Sequence, residues 1–262
     1  MATVPYKGVN IFNEDGTFRK EDDKVQGRSY SSNLTKLVKH LDKLENLQQG
    51  KPASPVMAHI SLTNACNLTC SFCCFANRDI SDKMPTEKVF QALESFKAIG
   101  VTGVEFTGGG EPSIHPHFKE IVQYAKDLGF SLGICTNAAR FGANRPIKKD
   151  IVELFDWVRM GMYGFYEGYD YDLSVFEGTN CKPSAAYVWD ENLETSSNPN
   201  ITGEWSDVKN KRVLSKKFQT TENFIRMLDW VEENQIPCRI AFNAIKDVKE
   251  TEKDIETIRG II

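Results

Sequence analysis

The sequence predicts an α/β fold built from parallel βαβ units, on three observations. From residue 55 onward, short apolar runs alternate with segments of helical periodicity. Most connections between them are short, the pattern that lays successive strands into one parallel sheet. The helical segments carry their own punctuation, with threonine or proline at the openings and glycine beyond the ends. Residues 33–48 read as a first helix, capped by Asn33 and stopped by Gly50, with Leu34, Leu37, Val38, Leu41, Leu44 and Leu47 along one stripe. A strand follows at 56–63, then a helix at 86–99 with Thr86 as N-cap and Gly100 past its end. A second strand at 103–107 leads to a helix at 116–128 that opens on Pro116 and closes at Gly129. The third strand is 130–136, followed by a helix at 146–156, and the fourth strand is 157–162. After an interruption come a helix at 221–234, a fifth strand at 238–245 and a last helix from Thr251 with Asp254 in the capping-box position.

Two regions follow from this order. Residues 1–54 form a polar N-terminal arm and an amphipathic helix, and residues 55–262 form the core. Five strands are read in the core and a sixth is not visible. The interruption at 165–219 reads as a long inserted loop, dense in tyrosine and acid near 165–172 and basic from Lys209 to Lys217. Loops of that length at a parallel sheet's rim commonly serve substrate binding.

Composition narrows the class. The chain has 262 residues, 40% of them hydrophobic and 26% charged, with a net charge of −4. That is ample material for a core, and the balance argues against a general nucleic-acid or membrane-surface binder. No apolar run approaches the roughly 18 residues of a membrane span, and the N-terminus has no apolar h-region. A cytoplasmic protein is the expectation, with no nucleic-acid and no membrane partner. Seven cysteines, an odd number, speak against a disulfide framework there.

Four of those cysteines lie between 66 and 74. Cys66, Cys70 and Cys73 have the spacing C-x3-C-x2-C on the loop after the first strand. Three thiolates on one loop hold three irons of a [4Fe-4S] cluster and leave the fourth iron open to a non-protein ligand. Cys74, one peptide step from Cys73, reads as a packing residue. A structural zinc site is the competing reading, although it normally uses four closed ligands in paired spacings. The second strand ends in Thr107-Gly108-Gly109-Gly110-Glu111-Pro112. No Gly-Lys-Ser/Thr follows, as a phosphate cradle would need, and the carboxylate of Glu111 suits a cationic group instead. His115 and His117, just beyond, read as structural or capping residues.

The cysteine spacing with Phe72 before its last member, followed one βα unit later by Gly109-Gly110-Glu111, resembles the radical S-adenosylmethionine (radical SAM) superfamily. Cys135-Thr136-Asn137-Ala138 is similar to the Thr-Asn-Gly strand ending of its molybdenum-cofactor cyclase and peptide-maturase branch, with Ala138 in the glycine position. The fourth strand resembles that branch's Val-Arg-x-Ser-x-Asp stretch, with Gly161 for the serine and Tyr163 for the aspartate. The resemblance implies a partial TIM-like (β/α)6 barrel, of which about five β/α units are visible. It implies a site-differentiated [4Fe-4S] cluster on Cys66, Cys70 and Cys73, and SAM cleaved reductively to a 5′-deoxyadenosyl radical that takes a hydrogen atom from substrate. Phe72, Gly108, Gly109, Gly110, Glu111, Thr136, Asn137, Arg159 and Asn243 are the implied SAM-side contacts, with Phe72 behind the adenine, Glu111 at the amino group and Arg159 near the carboxylate. A reductant such as flavodoxin or ferredoxin and a peptide or small-molecule substrate are the implied partners. No catalytic acid or base is named. Two alternatives stay open. One is a degenerate or truncated relative that binds cluster and SAM without turnover, favoured by Gly161 and the missing sixth strand; the other is a zinc-stabilised binding module.

Overall fold

The computed structural model describes residues 40–69, 73, 75, 78–162, 171–189, 212–213, 221–242 and 256. The expected N-terminal arm, Cys70, Phe72, Cys74, Tyr163, Asn243 and most of the helix expected from Thr251 lie outside the described residues. The chain divides into two compact units, residues 1–54 and 55–262. In the first unit, helix α1 (Leu41–Gln48) carries an acidic residue, Asp42, in its first turn and buries none of its residues.

The second unit is organised by one sheet of six parallel strands: β1 (Met57–Ser61), β2 (Gly103–Thr107), β3 (Ser131–Thr136), β4 (Trp157–Gly161), β5 (Lys182–Trp189) and β6 (Cys238–Phe242). Their order in space is their order in the chain. With right-handed crossovers, an unbroken progression keeps every helix on the same face. The sheet then curls with its other face inward, as in a barrel, because no switch of direction opens a second helical layer.

Strand alternation divides the side chains between the two faces. Ile60, Val104, Phe106, Leu132, Ile134, Val158 and Met160 point one way and are buried. They form a single core with Val89 and Leu93 of α2 (Thr86–Ala98) and with Phe118, Ile121 and Val122 of α3 (Phe118–Asp127). Phe106 is its centre, meeting Phe118 and Phe155 edge to face at 6.3 Å each. Both helices close as their sequence stops predict: Val101 N donates to Phe96 O (3.0 Å) and Phe130 N to Ala125 O (3.3 Å), bridging back over Gly100 and Gly129.

Three expectations change. Thr86 is the first helical residue rather than the cap, because the Pro85 carbonyl already accepts from Lys88 N and Val89 N. The helix expected at 146–156 shortens to α4 (Lys149–Val152). Beyond it Leu154 N and Phe155 N reach back only three residues, to Ile151 O and Val152 O, a tighter turn that frees Asp156 N to join Leu132 O at 2.8 Å and start β4.

The third change is the largest. The sixth strand exists, and it is β5, inside the stretch expected to be a loop. Its sequence, Lys-Pro-Ser-Ala-Ala-Tyr-Val-Trp, opens with residues of poor strand propensity and places a proline where a central strand needs a donor. The geometry resolves the conflict. β4 pairs with β5 from Lys182, whereas β6 pairs only from Ala185, whose N–H donates to Pro237 O at 2.7 Å. Nitrogens two residues apart face the same neighbour, so the missing N–H of Pro183 falls on the side where β6 has not yet begun. The stretch also holds a 3-10 turn at Leu173–Phe176 and a two-residue strand, Arg212–Val213, paired in parallel with Leu68–Thr69. Helix α5 (Thr221–Glu233) then covers β5, with Phe224 against Tyr187 at 5.2 Å. Among the described residues no helix is long and apolar enough to cross a membrane.

Phe106→Ala is expected to cost about 3–5 kcal/mol of unfolding free energy, read as a lowered midpoint in chemical denaturation; a loss below about 1 kcal/mol would contradict its place at the core's centre.

Candidate functional site

The cysteine loop is tied at its base before it makes any site. Asn64 N donates to Asp82 O and Met84 N to Leu62 O, both at 2.9 Å, and Thr63 bridges Lys83 antiparallel. The chain leaving the C-terminal end of β1 at Asn64 is thus joined to the chain returning at Asp82. Between the two, Cys66 Sγ accepts from Leu68 N at 3.4 Å and lies 3.9 Å from Asn137 Nδ2. Cys73 Sγ accepts from Arg78 Nη1 at 3.3 Å. Burial pushes the Cys66 thiol above its ordinary value, and the negative charge of Glu111 adds to the shift. N–H groups from three different residues therefore converge on two free sulfurs. This is a donor set suited to thiolates, and so to the thiolate-held cluster expected here. Among the described residues no three His, Cys, Asp or Glu side chains gather to hold a metal ion, and Cys70, the third thiol of the motif, lies outside them.

The glycine loop after β2 is pressed onto this loop. Gly110 N donates to Thr63 O (2.8 Å), Glu111 N to Ala65 O (2.9 Å) and Gly109 N to Ser61 Oγ (2.9 Å). A Cβ on Gly110 would overlap the Ala65 carbonyl, and one on Gly108 the Ser61 side chain, with Gly108 also at φ +137°. The glycines are required here by contact with the protein's own chain.

Glu111 is 2% exposed. Its Oε1 accepts from Ser113 N (3.2 Å), Ser113 Oγ (2.7 Å) and Thr136 Oγ1 (2.6 Å), and its Oε2 from Asn137 N (2.8 Å). Four donors offset the desolvation of a buried carboxylate. Thr136 Oγ1 in turn accepts from Ala138 N at 3.0 Å. Asn137 Nδ2 donates to Asn67 Oδ1 at 2.8 Å, joining the end of β3 to the cysteine loop. Ala138, which stands in the glycine position of the resembled motif, has φ +56°. The backbone there keeps the left-handed turn that glycine favours, although alanine occupies it.

The sheet face opposite the core carries a polar row. His59 Nδ1 lies 3.3 Å from Glu105 Oε1, Cys135 Sγ donates to the same oxygen at 3.4 Å, and Arg159 Nη1 donates to Cys135 Sγ at 3.7 Å. The Arg159 guanidinium also lies 5.4 Å from the Trp157 ring centre. Trp157 folds its indole over Gly133, where any Cβ would collide with it. Ser184 sits beside Arg159 in the β4–β5 register. Burial, and then the charge of Glu105, push the Cys135 thiol up to about 11. Gly161, in the serine position of the resembled motif, is buried, and its carbonyl accepts from Tyr171 Oη at 2.8 Å. His115 is buried with Nε2 2.9 Å from Met84 O, and His117 pairs with Glu120.

The structure thus brings together Cys66, Cys73, Gly108, Gly109, Gly110, Glu111, Thr136 and Asn137. Arg159 stands one face away with Cys135, while Cys70, Phe72 and Asn243 lie outside the described residues. Reading motifs alone passes over Arg78, Glu105 and Trp157. Glu105 and Trp157 were accessible through period-two alternation, which puts them on the same face as Arg159. Arg78 had no such signal, because its role depends on how an irregular loop folds back.

Residues 60–166 match the family model described as the Radical SAM superfamily. An S-adenosylmethionine-dependent nucleotide dehydratase of Selenomonas ruminantium is 33% identical over 98 residues, 37% of this chain and 35% of that protein. The sporulation killing factor maturation protein SkfB of Bacillus subtilis is 32% identical over 84 residues, 32% of this chain and 20% of that protein. Among solved structures, Streptococcus suis SuiB bound to S-adenosylmethionine superposes with a TM-score of 0.54 at 18% identity, over 88% of this chain and 53% of that one. SuiB bound to its precursor peptide SuiA gives 0.53 at 18% identity, over 96% and 54%. Residues 60–166 are thus similar to the radical SAM superfamily over the stretch that carries the cysteine spacing and the Gly-Gly-Glu stretch. Members of that superfamily use a [4Fe-4S] cluster and SAM. The chain spans about a third or less of the length of these two curated relatives and about half of SuiB.

Glu111→Gln places an amide nitrogen against one of the four donors and is expected to cost about 1–3 kcal/mol of stability; an unchanged denaturation midpoint would show that the charge is not needed. A pH dependence follows from the thiols. Cys135 and Cys238 keep their protons to about 11 in the folded state, against an ordinary value of 9.0. The folded protein therefore binds more protons than the unfolded chain between those limits, and stability should fall as pH rises from 9.0 towards 11. Replacing both with serine should flatten that slope in thermal melts.

Proposed function

We propose that this chain is a radical SAM enzyme in which Cys66, Cys70 and Cys73 hold a site-differentiated [4Fe-4S] cluster. The observation that carries the reading is the convergence of three separate N–H donors on the Cys66 and Cys73 sulfurs, within a segment that matches the superfamily. When bound, the cluster supplies the electron for reductive cleavage of SAM, and the resulting 5′-deoxyadenosyl radical abstracts a hydrogen atom from substrate.

The protein's part is to bind, orient and exclude. The stretch Gly108–Gly109–Gly110–Glu111 seats the SAM amino group, and the oxygen of Glu111 with acceptor capacity left is Oε2, which takes one bond, from Asn137 N. Phe72 backs the adenine. Thr136 and Asn137 hold the β3 end against the cysteine loop, while Arg159 and Asn243 offer polar contacts to SAM or substrate. A rigid rim of this kind lowers the entropy to be lost in reaching a reactive geometry. It also keeps competing quenchers from a reactive species.

A peptide is the proposed substrate. Two relatives support it by name: SkfB is a maturation protein, and SuiB was captured with its precursor peptide. A nucleotide or other small molecule is the second reading, supported by the similarity to the nucleotide dehydratase. A flavodoxin or ferredoxin is the proposed electron donor. The complete set of six strands removes one of the two supports for a degenerate relative.

Anaerobic reconstitution with iron and sulfide, followed by dithionite and SAM, is expected to yield the cluster's visible absorption and 5′-deoxyadenosine. Cys66→Ala and Cys70→Ala should each lower bound iron and 5′-deoxyadenosine by at least tenfold. Stoichiometric zinc without iron, or a cluster that never cleaves SAM, would overturn the reading.

A further inference from the structure

We propose that Arg78 is a positioning residue for the cluster, donating to the Cys73 sulfur and thereby raising the potential at which the cluster accepts its electron. The inference rests on the reading above that Cys66, Cys70 and Cys73 carry a [4Fe-4S] cluster, and it adds a residue to that site which the motif does not contain.

Arg78 lies five residues beyond Cys73, and its side chain turns back under the loop. Nε donates to Asn64 O at 2.6 Å, at the loop's start. Nη1 donates to Phe75 O at 2.7 Å and to Cys73 Sγ at 3.3 Å, at the loop's far side. One planar group therefore spans the thiol-bearing loop from Asn64 to Phe75. Guanidinium suits this task, because it presents several donors in a fixed fork and has no acceptor. The two carbonyl bonds fix where the fork lies, and the third N–H···S contact then points at the sulfur without further loss of side-chain freedom.

The charge decides what that contact does. Leu68 N and Asn137 Nδ2, the donors near Cys66, belong to neutral groups. Arg78 is the cation among the described donors to these two sulfurs. In the one-electron couple the oxidised cluster gains one negative charge from the external reductant, and no bond to the protein is made or broken. A fixed positive charge beside a ligating sulfur stabilises the more negative, reduced form, as hydrogen bonds to cluster sulfurs do generally. Arg78 is half-buried, so solvent screens part of this field. The expected effect is about tenfold in the oxidised-to-reduced ratio, which for one electron is about 59 mV.

The test is a potentiometric titration with dithionite, followed by the EPR signal of the reduced cluster, on reconstituted wild type, Arg78→Gln and Arg78→Lys. Arg78→Gln is expected to keep its cluster and titrate about tenfold harder to reduce. Arg78→Lys, which keeps the charge and loses the fork, should fall between the two. An unchanged midpoint in Arg78→Gln overturns the inference while leaving the cluster assignment standing. If Arg78→Gln holds no cluster, Arg78→Lys decides: a midpoint below wild type supports the inference, and an equal midpoint overturns it. Loss of the cluster from both variants, with circular dichroism unchanged, reduces Arg78 to a loop staple and overturns it. A wild-type protein that takes up no cluster defeats the cluster assignment itself.

Discussion

The buried carboxylate of Glu111 is the point on which the site depends. It leaves water almost completely and is met by four donors, two from Ser113, one from Thr136 and one from Asn137. Its own backbone N–H is bonded to Ala65, the residue before the first thiol. One residue thus joins the ends of β1, β2 and β3 across the rim of the sheet. Each bond to it is charge-assisted and stronger than a neutral one. Removing a single donor would leave a buried charge short of a partner, so the three loops keep their relative places together or not at all.

The two faces of the sheet have separate tasks. Helices close one face with a dry aromatic and aliphatic core around Phe106, and this fixes the strand positions. The other face carries His59, Glu105, Cys135 and Arg159 in a connected row, with Trp157 laid over Gly133. Polar side chains in such a row are costly unless bonded to one another, and here each neighbour supplies the other's partner. The rim and this face meet at β3, where Cys135 points into the row and Thr136 into the Glu111 network.

Much of this was legible beforehand. The strands β1, β2, β3, β4 and β6 are marked by apolar runs, and α2 and α3 end at their glycine stops. The thiols and the Gly-Gly-Glu stretch are marked by spacing, since that chemistry needs residues at fixed intervals. β5 escaped because its local preferences contradict its environment: Pro183, Ser184 and the paired alanines read as loop, and only burial of Ala185 and Tyr187 under α5 makes the segment a strand. The resemblance implies the glycines only as contacts to SAM, whereas Ser61, Asn64 and Ala65 already press on them. Arg78 was invisible for a related reason. Its three contacts come from a loop path that no periodicity encodes.

Pro183 does more than tolerate its position. Sliding β6 two residues along β5, towards Lys182, would keep every side chain on its proper face and would cost nothing in hydrophobic pattern. It would, however, ask the Pro183 nitrogen for a hydrogen bond it cannot donate. The same imino acid that hides the strand from a sequence reader therefore excludes one of the register errors that alternation alone permits. It fixes the offset between the last two strands, and a fixed offset is what a curling sheet needs to set its tilt.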